Sequence, residues 1–281
     1  MANSPLKSSD WLAKNLGRNG LVILDASMHM PASGRSASAE FEAAHIPGAR
    51  IFDIDTIVEP GASAPHTLPN AEHFSAVASA LGVSNNSKII IYDNSEFRTA
   101  ARAWWMFRIM GHKNVYVLNG GFQKWKAQKR TVETGPPKPA KALYKARYNP
   151  ALYFTADDVM ANIESEDRLL IDARSPGRFA GKADEPRPGV RSGHIPGAVN
   201  LPYADLYAHD GTLMTNAGLE AAIMDAGIDP KRPIVTNCGS GVTACCIALA
   251  YAQLGHWNTP IYDGSWAEWG TDAALPIETG Q

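Results

Sequence analysis

Short apolar runs recur along the chain at regular intervals, and each ends in a polar or small residue. In the first half, Leu21-Val22-Ile23-Leu24-Asp25-Ala26, Lys88-Ile89-Ile90-Ile91-Tyr92 and Val115-Tyr116-Val117-Leu118 read as strands. In the second half, Leu169-Leu170-Ile171-Asp172-Ala173, Pro233-Ile234-Val235-Thr236-Asn237 and Pro260-Ile261-Tyr262 read the same way. The runs are apolar throughout rather than alternating, which is the pattern of strands covered on both faces of a parallel sheet. Helical stretches lie between them: a first helix capped by Ser9 and carrying Trp11, Leu12 and Leu16, then Asn70 to Leu81 and Thr99 to Met110. A helix opened by Thr155, Asn216 to Ala226, and Ala244 to Leu254 complete the set.

The two halves repeat one another. His45-Ile46-Pro47-Gly48-Ala49 and His194-Ile195-Pro196-Gly197-Ala198 each follow a strand ending in an acid, and a pentapeptide repeated in the same context is the signature of duplication. Asn119-Gly120-Gly121-Phe122 likewise answers Asp263-Gly264-Ser265-Trp266. The fold expected is therefore α/β: a tandem duplication of one domain, each copy a mostly parallel sheet with helices on both faces. With 281 residues, two domains of ordinary size are expected. The boundaries read as residues 1–134, a Pro-rich linker over 135–150 that includes Gly135-Pro136-Pro137-Lys138-Pro139, and residues 151–281.

The halves differ at one loop. After its central strand the second half carries Cys238-Gly239-Ser240-Gly241-Val242-Thr243, where the first carries Asp93-Asn94-Ser95-Glu96-Phe97-Arg98. Gly239 and Gly241 are expected to reach positive φ, so that the loop's N–H groups turn inward around a sulfur atom. The helix after it adds its N-terminal partial charge, which favours an anion there and lowers a thiol's pKa. Cys238 is thus a candidate nucleophile in an anion cradle formed with Gly239, Gly241, Val242 and Thr243. Cys245 and Cys246, inside the helix among Ala and Ile, read as packing residues. The first half lacks a cysteine at this loop and serves as scaffold and one wall of the site, since ligands of open α/β sheets bind at the carboxyl ends of the strands.

Composition removes other classes. A net charge of -2 argues against a nucleic-acid surface, and no apolar run is long enough to span a bilayer. Three cysteines, two of them adjacent, make no disulfide framework and fit a reducing compartment. Met1-Ala2-Asn3-Ser4-Pro5-Leu6-Lys7 carries neither a signal core nor an arginine-rich amphipathic pattern, so a cytoplasmic location is expected. No Cys/His spacing suggests a metal site and no glycine pattern a nucleotide loop, so no cofactor is expected. His45 and His194 are duplicated in both halves and read as turn and packing residues. The tryptophans at 104, 105, 266 and 269 read as core.

Taken together, these residues resemble the two-domain rhodanese family, and within it the 3-mercaptopyruvate sulfurtransferases. The resemblance covers nearly the whole chain. It runs through Phe52-Asp53-Ile54-Asp55, Trp104-Trp105-Met106-Phe107-Arg108, both His-Ile-Pro-Gly-Ala pentapeptides, Glu185-Pro186-Arg187, the Cys238 loop, and Tyr262-Asp263-Gly264-Ser265-Trp266-Ala267-Glu268-Trp269. Thiosulfate-specific members of the family carry basic residues directly after the cysteine, whereas mercaptopyruvate-specific members carry the uncharged Gly-Ser-Gly found here. The resemblance implies that Arg178 and Arg187 hold the substrate's carboxylate and keto oxygen, a task suited to a planar guanidinium fork. It also implies that Asp55, His66 and Ser240 form a Ser-His-Asp arrangement in which the imidazole polarises the hydroxyl.

The function expected is sulfur transfer from 3-mercaptopyruvate through a Cys238 persulfide to a thiol acceptor, such as thioredoxin or a small thiol, or to cyanide, with release of pyruvate. The partners are then small molecules and a thiol, with no nucleic acid and no membrane. Three rivals remain open: a thiosulfate:cyanide sulfurtransferase, a non-enzymatic sulfur carrier, and a cysteine-dependent phosphatase of related fold. The last would need a longer loop closed by an arginine.

Overall fold

The computed structural model describes residues 4–62, 64–136 and 141–280. The first half runs β1 (Leu6–Lys7), α1 (Ser9–Ala13), β2 (Leu21–Asp25), α2 (Ala37–Ala43), β3 (Ala49–Ile51), α3 (Ala71–Ala80), β4 (Lys88–Tyr92), α4 (Ala100–Ile109), β5 (Val115–Leu118) and α5 (Gly121–Ala127). The second half repeats the order: β6 (Tyr153–Phe154), α6 (Ala156–Ser165), β7 (Leu169–Asp172), α7 (Pro176–Phe179), β8 (Val199–Asn200), α8 (Asn216–Asp225), β9 (Ile234–Asn237), α9 (Ala244–Gln253), β10 (Ile261–Tyr262) and α10 (Ser265–Trp269). The strands form two sheets, ordered β1-β5-β4-β2-β3 and β6-β10-β9-β7-β8, and the pairings within them are parallel. The apolar runs thus become the covered strands their composition requires, with Ile89, Ile90 and Ile91 of β4 fully buried.

Local chemistry sets the helix starts. Thr155 and Asp158 form a reciprocal capping box at α6, and Asn70 caps α3 through the N–H groups of Glu72 and His73. At α1 the cap is Ser8 rather than the expected Ser9: the Ser8 side chain accepts from Trp11 N–H, while Ser9 is buried and donates to Gln128 Oε1 at 2.6 Å. Leu16 falls beyond that short helix. The two matched histidines do what their duplication suggests. His45 Nδ1 sits 2.7 Å from the Phe41 carbonyl and its ring stacks on Phe41 at 3.9 Å, and His194 repeats this with Phe179 at 2.8 and 3.8 Å.

The halves meet through their central helices. Residues Ala244 to Ala252 of α9 are buried on every side, as are nearly all of α4, and the two helices pack on each other within one apolar core that runs through both halves. A helix apolar all round must be covered all round, and each of these is covered partly by the other. Of the linker expected over 135–150, residues 137–140 lie outside the described residues. Its later part is fastened to the first half: Ala142, Arg147 and Asn149 donate to the carbonyls of Ser79, Met110 and Ile109, and Tyr144 is buried against Phe74 and Phe107.

Candidate functional site

Strand β9 ends inside the second sheet, and the turn after it lies on the floor of a cleft of about 420 Å³. Met28, Met30, His66 and Phe97 of the first half face Arg178, Arg187, Cys238 and Ser240 of the second across it. The size suits a small ligand, and the place, at the carboxyl end of the strands, is where such folds bind one.

The turn is held by its carbonyls. Trp266 and Ala267 of α10 donate to the carbonyls of Cys238 and Gly239, each at 2.9 Å, and Arg102 of α4 donates to the Gly241 carbonyl at 3.2 Å. Cys238 N–H donates to Ser265 Oγ at 3.2 Å. Among the described residues, the N–H groups of Gly239, Ser240, Gly241, Val242 and Thr243 have no acceptor. A run of unpaired donors ahead of a helix, beside a cysteine that is 1% exposed, is an arrangement able to hold an anion at the sulfur.

The two glycines serve different needs. Gly241 has φ +73°, and a Cβ there would come within 2.8 Å of the Asp263 carbonyl oxygen. Gly239 does not adopt the positive φ that the sequence suggested. It is needed for space instead, because a Cβ would lie 2.9 Å from the Arg178 guanidinium, which closes over the loop.

Arg178 projects from α7, a single turn that Pro176 starts and that the buried Phe179 anchors. Its Nε and Nη2 are bonded to the two oxygens of Glu185 at 3.1 and 2.5 Å, and Glu185 Oε1 also accepts from Arg174 at 2.8 Å. Arg174 is in turn paired with Asp172 at 2.6 Å, and both side chains have no exposure. Arg187 is half-buried and has no ion-pair partner among the described residues. Burial and the neighbouring Arg178 pull its pKa down, while Cys238 and Glu185 pull it up, which puts its charge within electrostatic reach of the sulfur.

On the opposite wall His66 Nε2 lies 2.8 Å from Asp55 Oδ1, and Nδ1 lies 2.9 Å from Ser240 Oγ. A carboxylate only accepts, so Nε2 carries the proton, and in the neutral ring Nδ1 accepts from the Ser240 hydroxyl. The Asp55 side chain is 53% exposed, so this chain of bonds runs from the loop beside the sulfur out to solvent. His66 holds a φ of +59°, strained for a non-glycine residue, and its carbonyl accepts from Arg102 Nη2.

The structure therefore brings Cys238, Ser240, His66, Arg178 and Arg187 to one cleft, with Asp55 behind His66. It leaves Cys245 and Cys246 buried in α9, with burial pushing the Cys246 thiol up to about 12 and the Cys245 thiol well up from its ordinary value too. Sequence reasoning missed Arg102 and Asp263. Arg102 is 1% exposed, is paired with the fully buried Asp263 carboxylate, and reaches both the Gly241 and His66 carbonyls. Asp263 Oδ2 also accepts from Leu68 N–H at 2.7 Å, so this pair ties the histidine's loop to the cysteine's. The signal was present: an arginine flanked by Ala and followed by Trp104 and Trp105, within a helix among residues that read as core, must have a buried partner.

Similarity to known proteins extends over nearly the whole chain. The Rhodanese-like domain family model matches residues 8–128 and 155–272. The 3-mercaptopyruvate sulfurtransferase of Homo sapiens is 42% identical over 270 residues, covering 94% of this chain and 91% of that one. Thiosulfate/3-mercaptopyruvate sulfurtransferase 1, mitochondrial, of Arabidopsis thaliana is 41% identical over 298 residues, covering 99% and 79%. The crystal structure of SseA from Escherichia coli, a 3-mercaptopyruvate sulfotransferase, superposes with a TM-score of 0.86 at 35% identity, covering 94% of this chain and 99% of that one.

Proposed function

The chain belongs to the rhodanese family, and from that premise we propose that it is a 3-mercaptopyruvate sulfurtransferase working through a persulfide on Cys238. The observation that carries this reading is where the positive charge lies. The loop from Cys238 to Thr243 bears none of its own, and the cations of the cleft, Arg178 and Arg187, reach it from a separate segment, with the Arg178 guanidinium lying over Gly239. A donor whose anionic group is two carbons from its transferable sulfur fits that spacing, whereas a compact dianion would be held best by cations in the loop itself.

The Cys238 thiolate attacks the donor's thiol sulfur, a sulfur–sulfur bond forms, and the carbon–sulfur bond breaks with its electron pair passing to the enolate of pyruvate. Arg187 and the free Nη1 of Arg178 hold the carboxylate and the oxygen on which the charge develops. The enolate carbon then takes a proton, which the Ser240–His66 pair can deliver from solvent by way of Asp55. Cys238 is left as a persulfide whose negative charge rests against the unpaired N–H groups of the loop. A thiolate acceptor, from a small thiol or from thioredoxin, attacks the outer sulfur and restores the Cys238 thiolate; cyanide would leave as thiocyanate. Three free buried cysteines suit a reducing compartment, and we place the protein in the cytoplasm. Among the described residues no helix is long and apolar enough to cross a membrane.

The test is pyruvate release from 3-mercaptopyruvate beside sulfur transfer from thiosulfate to cyanide, with Cys238→Ser as control. A higher kcat/KM for mercaptopyruvate and an inactive Ser variant are expected. Preference for thiosulfate would overturn the donor assignment, and failure of both donors would leave a carrier.

A further inference from the structure

The carboxylate wall of the cleft is a sealed array of charges. Asp172 and Arg174 have no exposed side-chain surface, Glu185 has 4% and Arg178 24%, and Arg187 lies half-buried beside them. Two carboxylates stand against three guanidiniums, so the array carries one net positive charge. Glu185 is the member that decides this number. It is the only carboxylate bonded to Arg178 among the described residues, and it occupies that residue's Nε and Nη2 as a fork, leaving Nη1 for a ligand. Glu185 stands behind Arg178 rather than on the cleft surface; Asp184, an acid that does line the cleft, is exposed and screened by water.

We propose that Glu185 is a specificity-determining residue, which by neutralising Arg178 sets the wall to accept a monoanionic sulfur donor and to disfavour a dianionic one. The proposal rests on the functional reading above and deepens it. 3-Mercaptopyruvate with its thiol protonated carries one negative charge, which one net positive charge compensates. Thiosulfate carries two, and against a wall of one net positive charge the second is left without a partner. Such uncompensated charge weighs more here than it would on an open surface. Glu185 also orients: its fork holds the guanidinium over Gly239, where a Cβ would press against it.

Two variants separate charge from shape. Glu185→Gln keeps the length of the side chain and removes its charge, and Glu185→Asp keeps the charge and shortens the reach. kcat/KM for 3-mercaptopyruvate and for thiosulfate is measured for each, with melting curves as the check on folding. Glu185→Gln is expected to move the ratio of the two toward thiosulfate by about tenfold, the effect of one added charge a few ångströms away at partial burial. Glu185→Asp is expected to lower both values together and hold the ratio near that of the wild type. A ratio unmoved by Gln, or moved as far by Asp as by Gln, would overturn the proposal. Should the Gln variant not fold, the Asp variant alone decides: a tenfold move in its ratio sinks the idea. If the wild-type protein itself prefers thiosulfate, the donor assignment fails, and the change caused by Gln still reports on Glu185.

Discussion

The loops after β4 and β9 are the same turn put to opposite uses. Both come after a buried central strand, both precede a buried helix, and both are tied to the next helix by the same bond: Phe122 N–H to the Asp93 carbonyl in the first half, Trp266 N–H to the Cys238 carbonyl in the second, each at 2.9 Å. In the first half three donors of the turn and the helix start are taken up by side chains. The Asp93 carboxylate accepts from Ser95 N–H at 3.0 Å and from Ala100 N–H at 2.7 Å, and Asn94 N–H goes to Ser27 Oγ at 2.9 Å. In the second half the corresponding donors are unspent. One loop carries a carboxyl group of its own and so has no place for an anion from outside. The other leaves the place open for charge that comes and goes on sulfur. An anion cradle is thus a property of the turn, and whether it is a site depends on what stands at its first position.

The comparison breaks most completely at Cys238. Cys238→Ser should remove sulfur transfer to background, and alkylation of the native protein near neutral pH should stop at one thiol per chain and vanish in the variant. Burial keeps the Cys245 and Cys246 thiols protonated and out of reach. Labelling of the variant at either helix cysteine would show that the loop is not what makes Cys238 reactive.

Next in size is the bond between the halves. Arg102→Met strips the buried Asp263 carboxylate of its counter-charge, and urea unfolding should show a loss of about 3–5 kcal/mol. The same variant should lower kcat/KM, because the Gly241 and His66 carbonyls lose their common donor. A stable variant of undiminished activity would mean that the two loops are positioned independently.

Asp93→Ala sharpens the contrast. With no carboxyl group of its own, the first-half turn leaves the Ser95 and Ala100 N–H groups buried and unsatisfied, a cost of about 2 kcal/mol in the melting or urea transition. Turnover of 3-mercaptopyruvate should be largely retained. A fall in kcat as deep as the fall in stability would show that the first-half turn takes part in the chemistry.

The smallest effect lies at the rim of that turn. Arg35 and, less strongly, Asn94 hold the Glu40 carboxyl at about 2, below its ordinary value. A carboxyl with a depressed folded-state pKa adds stability that is present above its ordinary value and is lost as pH falls toward 2. The Glu40 side chain is one-third exposed, so Glu40→Gln should cost only about 0.5 kcal/mol at neutral pH, and the gap from the wild type should close on acidification. A gap that widened in acid would reverse this account.

Much of the fold is legible in the sequence. The duplicated His-Ile-Pro-Gly-Ala and the apolar runs locate both sheets, because a strand covered on two faces must be apolar throughout and few other segments are. The bounds of β4 and β5 fall where the runs begin and end. The Cys238 loop was legible because a cysteine and glycines between strand and helix leave few other readings, whereas Ser240 and His66 came through the family resemblance. What stayed hidden was pairing at a distance. Nothing local in Ala100 to Ile109 says that Arg102 meets Asp263, 161 positions away, and nothing in Glu185-Pro186-Arg187 says that the acid binds Arg178 rather than solvent. The role of Gly239 was hidden for the same reason. Conformational freedom can be inferred from the residue itself, whereas close approach by another side chain depends on the rest of the fold.

The Arg102–Asp263 pair and the His66–Ser240 bond have a consequence for inheritance. Two copies that began as equals now share one cleft, since the half without a cysteine supplies the imidazole and the buried cation that meet the other half's loop. A survey of variants that abolish sulfur transfer should therefore find many in the first half, at positions with no nucleophile near them in sequence. Scored one domain at a time, they would pass for harmless changes in a vestigial copy.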